Sequence, residues 1–184
     1  MDDTGTKWDV VYDNTRDFKC LSTSELNHIL SKANKDSSLS AIDIGCGTGQ
    51  ISRDLYHRGY NVLGIDNSKI AIQLARNSTV KLGDGINFQI IDVENKFELI
   101  DKYGLVLCKY TYAFIKNRDR FLENVRNLMD DRALFVIVSP SVESQPDQKR
   151  HITVNCSDTL KLLSKYFSQT EHVTLNGDDY FYCY

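Results

Sequence analysis

Ten residues restrict this chain more than any others: Ala41-Ile42-Asp43-Ile44-Gly45-Cys46-Gly47-Thr48-Gly49-Gln50. An apolar run stops, glycines follow at alternate positions, and a helical pattern begins at Gln50 with Ile51 and Leu55 four apart. Glycine is needed where backbone takes dihedrals closed to other residues, or lies within van der Waals reach of a ligand. A strand, turn and helix of this kind belong to an open α/β sheet, which binds its ligands beyond the carboxyl ends of the strands. A dinucleotide site is one reading, but that fingerprint is G-x-G-x-x-G with a pyrophosphate on the helix N-terminus. Here the third glycine comes one place early, and Asp43 stands on the strand just before the turn. A carboxylate there repels a pyrophosphate and attracts a cation. A purely structural turn is the bland alternative.

The rest of the chain alternates short β-branched runs with helical patterns, which implies a parallel sheet wound by right-handed crossovers. Strands are expected at 39–44, 61–65, 86–91, 105–109 and 133–138, the last apolar throughout as in a strand covered on both faces. Helices are expected at 24–33, at 50–56 with Gly59 closing it, and from a cap at Asn67 or Ser68 through Ile70, Ala71, Leu74 and Ala75. Another spans 118–129, with Phe121, Leu122, Val125 and Leu128 on one face. Ser157 or Asp158 caps a further helix that runs to about Phe167. Two strand-like runs follow, 172–175 and 180–184, joined by Asn176-Gly177, a hairpin signal.

Two more acids stand at strand ends. Asp66 closes Val62-Leu63-Gly64-Ile65-Asp66, where a carboxylate accepts from both hydroxyls of a ribose, and Asn67 follows it. Asp92 closes Phe88-Gln89-Ile90-Ile91-Asp92, followed by Val93. Each acid also reads as a plain helix cap, Asp92 for a segment at 94–100. With Asp-Ile-Gly-Cys-Gly-Thr-Gly ahead of them, the three acids resemble the cofactor motifs of the class I S-adenosylmethionine (SAM)-dependent methyltransferases. The resemblance covers residues 39–138 by motif and the remainder by element order. It implies an α/β fold: a three-layer Rossmann-like sheet of seven strands, mostly parallel, with an antiparallel last strand. It also implies an N-terminal arm and helix (1–38), a cofactor-binding core (39–138), and an acceptor loop, helix and hairpin (139–184), all within one domain at 1–184. SAM is then the cofactor and S-adenosylhomocysteine the co-product. The implied cofactor residues are Asp43, Gly45, Cys46, Gly47, Gly49, Asp66, Asn67, Asp92, Val93, Lys109 and Tyr12. In that family Asp92 accepts from the adenine amino group and the Val93 amide meets a ring nitrogen. Trp8 and Tyr12 fall where related enzymes fold a segment over the methionine end of SAM, and an aromatic face stabilises a sulfonium.

The acceptor side is less distinctive. Cys108-Lys109-Tyr110-Thr111-Tyr112 follows the fourth strand without the proline-rich motif of nucleobase amine methylation, and Ser139-Pro140-Ser141 lacks it too. Methyl transfer from a sulfonium needs the acceptor held in line, and a base only where the acceptor must lose a proton. Lys109, Tyr110, Tyr112 and His151 are the candidates to orient or deprotonate it. With no spare recognition domain, a small-molecule acceptor is favoured. A net charge of −3 provides no global field for nucleic acid. The aromatic run Tyr180–Tyr184 reads as a buried strand rather than a stacking platform. Five scattered cysteines without C-x-x-C spacing form neither a zinc site nor a disulfide framework, so reduced thiols, a cytoplasmic location and no metal are expected. No signal peptide or membrane span is read from the sequence. A non-catalytic SAM-binding or scaffolding protein and a nicotinamide-dependent oxidoreductase are the rival readings. The sequence leaves the oligomeric state open.

Overall fold

The computed structural model describes residues 4–13, 18–34, 37–95 and 99–184. Its strands are β1 (Ser40–Ile44), β2 (Asn61–Asp66), β3 (Ile86–Ile90), β4 (Tyr103–Lys109), β5 (Met129–Pro140), β6 (Thr170–Leu175) and β7 (Asp178–Cys183). They form one seven-stranded sheet in the order β3-β2-β1-β4-β5-β7-β6. Neighbours from β3 across to β5 are parallel, and β7 runs antiparallel to both β5 and β6. The expected sheet, with one reversed strand inserted near its edge, is the one observed.

Alternation along the central strands assigns side chains to two layers. Ile42, Val106, Phe135 and Phe181 face one side, where they meet Phe121, Leu122 and Val125 of α5 (Arg118–Leu128) and Leu163 of α6 (Cys156–Leu163). Ala41, Leu105, Val136 and Tyr180 face the other, against Leu26 and Ile29 of α2 (Thr23–Lys32) and Leu55 of α3 (Gln50–Tyr56). Strands buried on both faces need no polar alternation, which explains the unbroken apolar runs at 105–108 of β4 and 133–138 of β5. A small cluster of Ile72 and Ala75 from α4 (Lys69–Thr79) with Phe88 extends the second layer through Ile86.

Local chemistry sets most boundaries. Ser68, not Asn67, caps α4: its hydroxyl accepts from the Ala71 amide at 3.1 Å. Ser22 and Glu25 form a reciprocal capping box at α2. Asn176 and Gly177 both take positive φ, 53° and 82°, as a two-residue hairpin turn requires.

Several expectations shift. The residues read as an arm contain a helix, α1 (Thr4–Asp13). The C-terminal helix begins at Cys156 under an Asn155 cap, ahead of the expected Ser157 or Asp158, and ends at Leu163 well before Phe167. Asn155 wins because its side chain accepts from the Asp158 amide at 2.9 Å. β5 starts four residues earlier than its apolar run, because Met129 already pairs with Tyr103 before a register shift restores pairing at Leu134. The loop after β5 carries two 3₁₀ turns, Val142–Ser144 and Asp147–Ile152. Part of the helix that Asp92 was expected to cap, residues 96–98, lies outside the described residues. Among the described residues no helix is long and apolar enough to cross a membrane.

Candidate active site

The turn after β1 is fastened to β2 by backbone. The amides of Gly45 and Cys46 donate to the Ile65 carbonyl at 2.8 and 3.0 Å, and the Gly47 amide donates to Asp66 Oδ2 at 3.0 Å. Gly47 has φ +54°, and a β-carbon there would sit 2.6 Å from the Tyr12 hydroxyl, so only glycine leaves the passage open. Gly49 does different work. It turns left-handed (φ +78°) to start α3, and a β-carbon would strike the Phe88 ring at 2.6 Å. It packs helix against strand and does not line the cavity, contrary to its expected place among the ligand contacts.

A cavity of about 700 Å³ opens beyond the carboxyl ends of β1, β2 and β4. Asp43, Gly45, Cys46, Gly47, Asp66, Asn67, Asp92, Val93, Lys109 and Tyr12 all contribute to its lining. Asp43 is 2% exposed and receives the Ser52 hydroxyl on Oδ2 at 2.7 Å. Burial nonetheless pushes its carboxyl up to about 6, a site poised to ionise fully when a cation approaches. Asp66 is also pushed up by burial, against the pull of donors from Ser68 and Gly47. Its Oδ1 accepts from the Ser68 amide at 2.9 Å and the Asn67 amide also donates to this carboxylate, whose two oxygens offer about four acceptor sites in all. Asp92 accepts from the Glu94 amide at 3.0 Å and from Asn95 Nδ2 at 2.8 Å. Desolvation drives the Cys46 thiol well above its ordinary range, so it packs as a neutral group.

Helix α1 covers part of this cavity. Asp9 fastens it: Oδ1 accepts from the Ser68 hydroxyl at 2.6 Å and the Ile70 amide at 3.1 Å, at the N-terminus of α4. This brings Trp8 edge-on to Phe114 (4.9 Å between centroids) and to Phe18 (6.2 Å), with Tyr12 also edge-on to Phe18 at 6.0 Å. All four rings line the cavity.

The wall at the end of β4 is polar. Tyr110 takes φ +55°, a strained conformation for a non-glycine residue of the kind concentrated at functional sites. Its amide is held by the Val138 carbonyl at 2.8 Å, and its hydroxyl donates to Asp178 Oδ2 at 2.7 Å. The same oxygen pairs with Lys19 Nζ at 2.8 Å. Lys109 Nζ donates to the Lys19 carbonyl and lies 3.7 Å from the centroid of the Tyr110 ring. Desolvation pulls the Lys109 ammonium down to about 8.

Two acceptor-side candidates do not reach the cavity. The left-handed turn at Tyr110 sends Tyr112 into the core: it is 1% exposed, with its ring 5.7 Å from that of Phe121. His151 is exposed on a 3₁₀ turn, its Nδ1 3.0 Å from the Gln148 carbonyl oxygen, and its neighbour Ile152 lines the cavity instead. Sequence reasoning missed Phe18, Lys19, Phe114 and Asp178. Only Asp178 had a usable signal: it directly follows the Asn176-Gly177 turn, so a reversed strand had to begin there, at the crevice.

A protein-family model described as "Methyltransferase domain" matches residues 35–180. The chain is 31% identical over 100 residues to a ubiquinone biosynthesis O-methyltransferase of Rickettsia prowazekii, covering 54% of this chain and 39% of that protein. A protein of the same name from Coxiella burnetii is 27% identical over 88 residues, 48% of this chain and 38% of its own length. The chain thus spans less than half the length of these relatives. Among solved structures, the plantazolicin methyltransferase BpumL in complex with S-adenosylhomocysteine superposes with a TM-score of 0.67 at 18% identity, over 85% of this chain and 79% of that one. Magnesium protoporphyrin IX methyltransferase from Synechocystis, solved with bound SAM, does so with 0.64 at 18% identity, over 96% and 79%. At such identities the likeness is one of fold.

Proposed function

The chain belongs to the class I, Rossmann-like methyltransferases, and from that membership we propose that it transfers a methyl group from SAM to a small-molecule acceptor. One observation carries the reading: the glycine turn and the acids of three successive strand ends meet in one cavity, whose remaining wall is aromatic and cationic. The donor set fits the cofactor. Asp66 keeps acceptor capacity for vicinal ribose hydroxyls, Asp43 offers a buried carboxyl to an ammonium, and Gly47 leaves room where any side chain would intrude. Bound SAM supplies an electrophilic methyl on a sulfonium.

The chain's own residues supply position. Trp8 and Tyr12 place aromatic faces beside the cationic end, while Asp92 and Val93 hold the base. Helix α1 and the rings it carries shut out water. Lys109, with its lowered proton affinity, orients the acceptor or takes its proton near neutral pH. We place the protein in the cytoplasm, on the support of its scattered, odd-numbered cysteines.

Calorimetric titration with SAM, S-adenosylhomocysteine and NAD is the test. SAM and S-adenosylhomocysteine are expected to bind and NAD to give no heat; NAD binding alone overturns the assignment. Because burial pushes the Asp43 carboxyl up to about 6, SAM affinity should rise from pH 5 to pH 7 as the carboxylate forms. Release of S-adenosylhomocysteine across a metabolite panel then separates an enzyme from a protein that only holds SAM.

A further inference from the structure

We propose that Ser52 is a positioning residue for the cofactor: from beneath the cavity floor, its hydroxyl keeps the Asp43 carboxyl charged and in place for the ammonium end of SAM. The inference rests on the methyltransferase reading and adds to it a residue that acts through Asp43.

Ser52 stands on the first turn of α3, wholly buried and outside the cavity lining, whereas the buried Asp43 is part of that lining. The hydroxyl donates to Asp43 Oδ2 at 2.7 Å, from nine residues further along the chain. A serine inside a helix commonly turns its hydroxyl back to the carbonyl one turn earlier. Here that carbonyl, of Thr48, receives the Arg53 guanidinium at 2.7 Å. The single hydroxyl proton of Ser52 goes instead to the strand. Alanine would occupy the same buried place and favour the helix more. What serine adds there is the bond to Asp43.

The bond favours one form of the carboxyl. A donor facing a carboxylate makes a charge-assisted contact, roughly twice as strong as one between neutral groups. The other groups around Asp43 are divided. Lys109, at the end of β4, favours its charge, and Asp66, at the end of β2, opposes it. The Cys46 and Cys108 thiols beside it are pushed up by burial and stay neutral. Burial of Asp43 itself works against its charge, and the Ser52 hydroxyl is the strongest influence in the other direction, ahead of Lys109. With one oxygen already fixed, the carboxylate needs little reordering when an ammonium enters the cavity.

The test compares S-adenosylhomocysteine with 5′-methylthioadenosine, which shares the adenosine and thioether and lacks the ammonium. Calorimetry from pH 5 to pH 8 gives the ratio of the two affinities, from which the contribution of Asp66 through the ribose cancels. In the parent this preference for S-adenosylhomocysteine should rise with pH and reach half its plateau near pH 6. Ser52→Ala should move that midpoint up by about one pH unit, lowering the preference about fivefold at pH 6 and less than about twofold at pH 8. Affinity for 5′-methylthioadenosine should stay within about twofold of the parent throughout. Ser52→Thr keeps the donor and should restore the parent profile. Ser52→Cys, a weak donor of nearly the same size, should fall between the two, and it decides the matter where the alanine variant fails to fold. The proposal is overturned if Ser52→Ala weakens both ligands alike, if the midpoint does not move, or if Ser52→Thr behaves as Ser52→Ala does. Failure of S-adenosylhomocysteine to bind the parent at any pH would instead sink the methyltransferase reading, so the two failures are distinct.

Discussion

On one side of the cavity Asp66 holds the amides of Gly47 and Ser68, 19 and 2 residues away in sequence. On the other, Lys19 meets Asp178 across 159 residues, and Tyr110 meets the same acid across 68. The first side is made by strand-to-helix turns whose backbone donors converge wherever the turns form. The second exists only once α1, the segment after it, the end of β4 and the start of β7 have all docked. A site for the constant part of a reaction can be built from local turns. A site for its variable part, assembled from distant pieces, is free to change without disturbing those turns.

The sharpest way to break this contrast is to damage the local side. Gly47→Val places a branched side chain at φ +54° and against the Tyr12 hydroxyl. SAM affinity should fall by about a hundredfold or more, while the circular-dichroism spectrum stays near that of the parent. Normal binding would deny the close-approach role, and an unfolded variant would make the turn purely structural. Asp66→Ala comes next. The backbone amides of Gly47, Asn67 and Ser68 and the ribose lose their acceptor, a loss on the order of 1–3 kcal/mol, so calorimetry should show SAM binding weakened about tenfold or more.

These two predictions were within reach of the sequence, and the reason is physical. A turn that needs positive φ must spend glycines, and a carboxylate at a strand end must stand beside the next strand's turn; both leave marks within a few residues. Nothing local marks Lys19, because its role depends on where α1 and β7 come to rest. Tyr112 shows the opposite failure. Its position after β4 pointed to the crevice, but the left-handed turn at Tyr110 rotates it into the core beside Phe121. His151 lies in the loop after β5, and a place in a loop sets reach without setting direction.

Damage to the distant side should look different. Asp178→Ala leaves the Tyr110 hydroxyl and Lys19 without their shared acceptor, for a cost of roughly 1–2 kcal/mol. Thermal denaturation should show a midpoint lower by roughly 2–8 °C for a chain of this size. S-adenosylhomocysteine affinity should hold within about twofold. An equal loss of cofactor affinity would mean that the two sides are one coupled unit.

The smallest effect belongs to Glu25, which links α2 to the turn before β7. Burial pushes its carboxyl up, yet donors from Ser22, Asn176 and Tyr180 together outweigh this and hold it at about 2. A depressed carboxyl contributes stability above its unfolded value near 4.5, and that contribution is lost as pH falls toward 2. Glu25→Gln should therefore cost roughly 1 kcal/mol at pH 7, with the difference from the parent shrinking across that window. Denaturant titrations at pH 7, 4 and 3 would check it; a constant difference would show that the carboxylate's charge is irrelevant.

The reversed strand has a consequence for how the molecule is made. β7 lies between β5 and β6, and every other strand leaves the ribosome before it. Until β7 arrives, β5 has one hydrogen-bonding edge unfilled and β6 has no neighbour. The glycine turn and the acids at the ends of β1 and β2 precede it by more than a hundred residues of synthesis, several seconds at about 5–20 residues per second. The early strands thus have time to assemble a cofactor crevice while the sheet is still open. Asp178, the first residue of β7, then enters as the strand that closes the sheet and draws Lys19 and Tyr110 onto it. Completion of the polar wall of the cavity and completion of the sheet are the same event, so a partly synthesised chain carries a cavity with that wall unfinished.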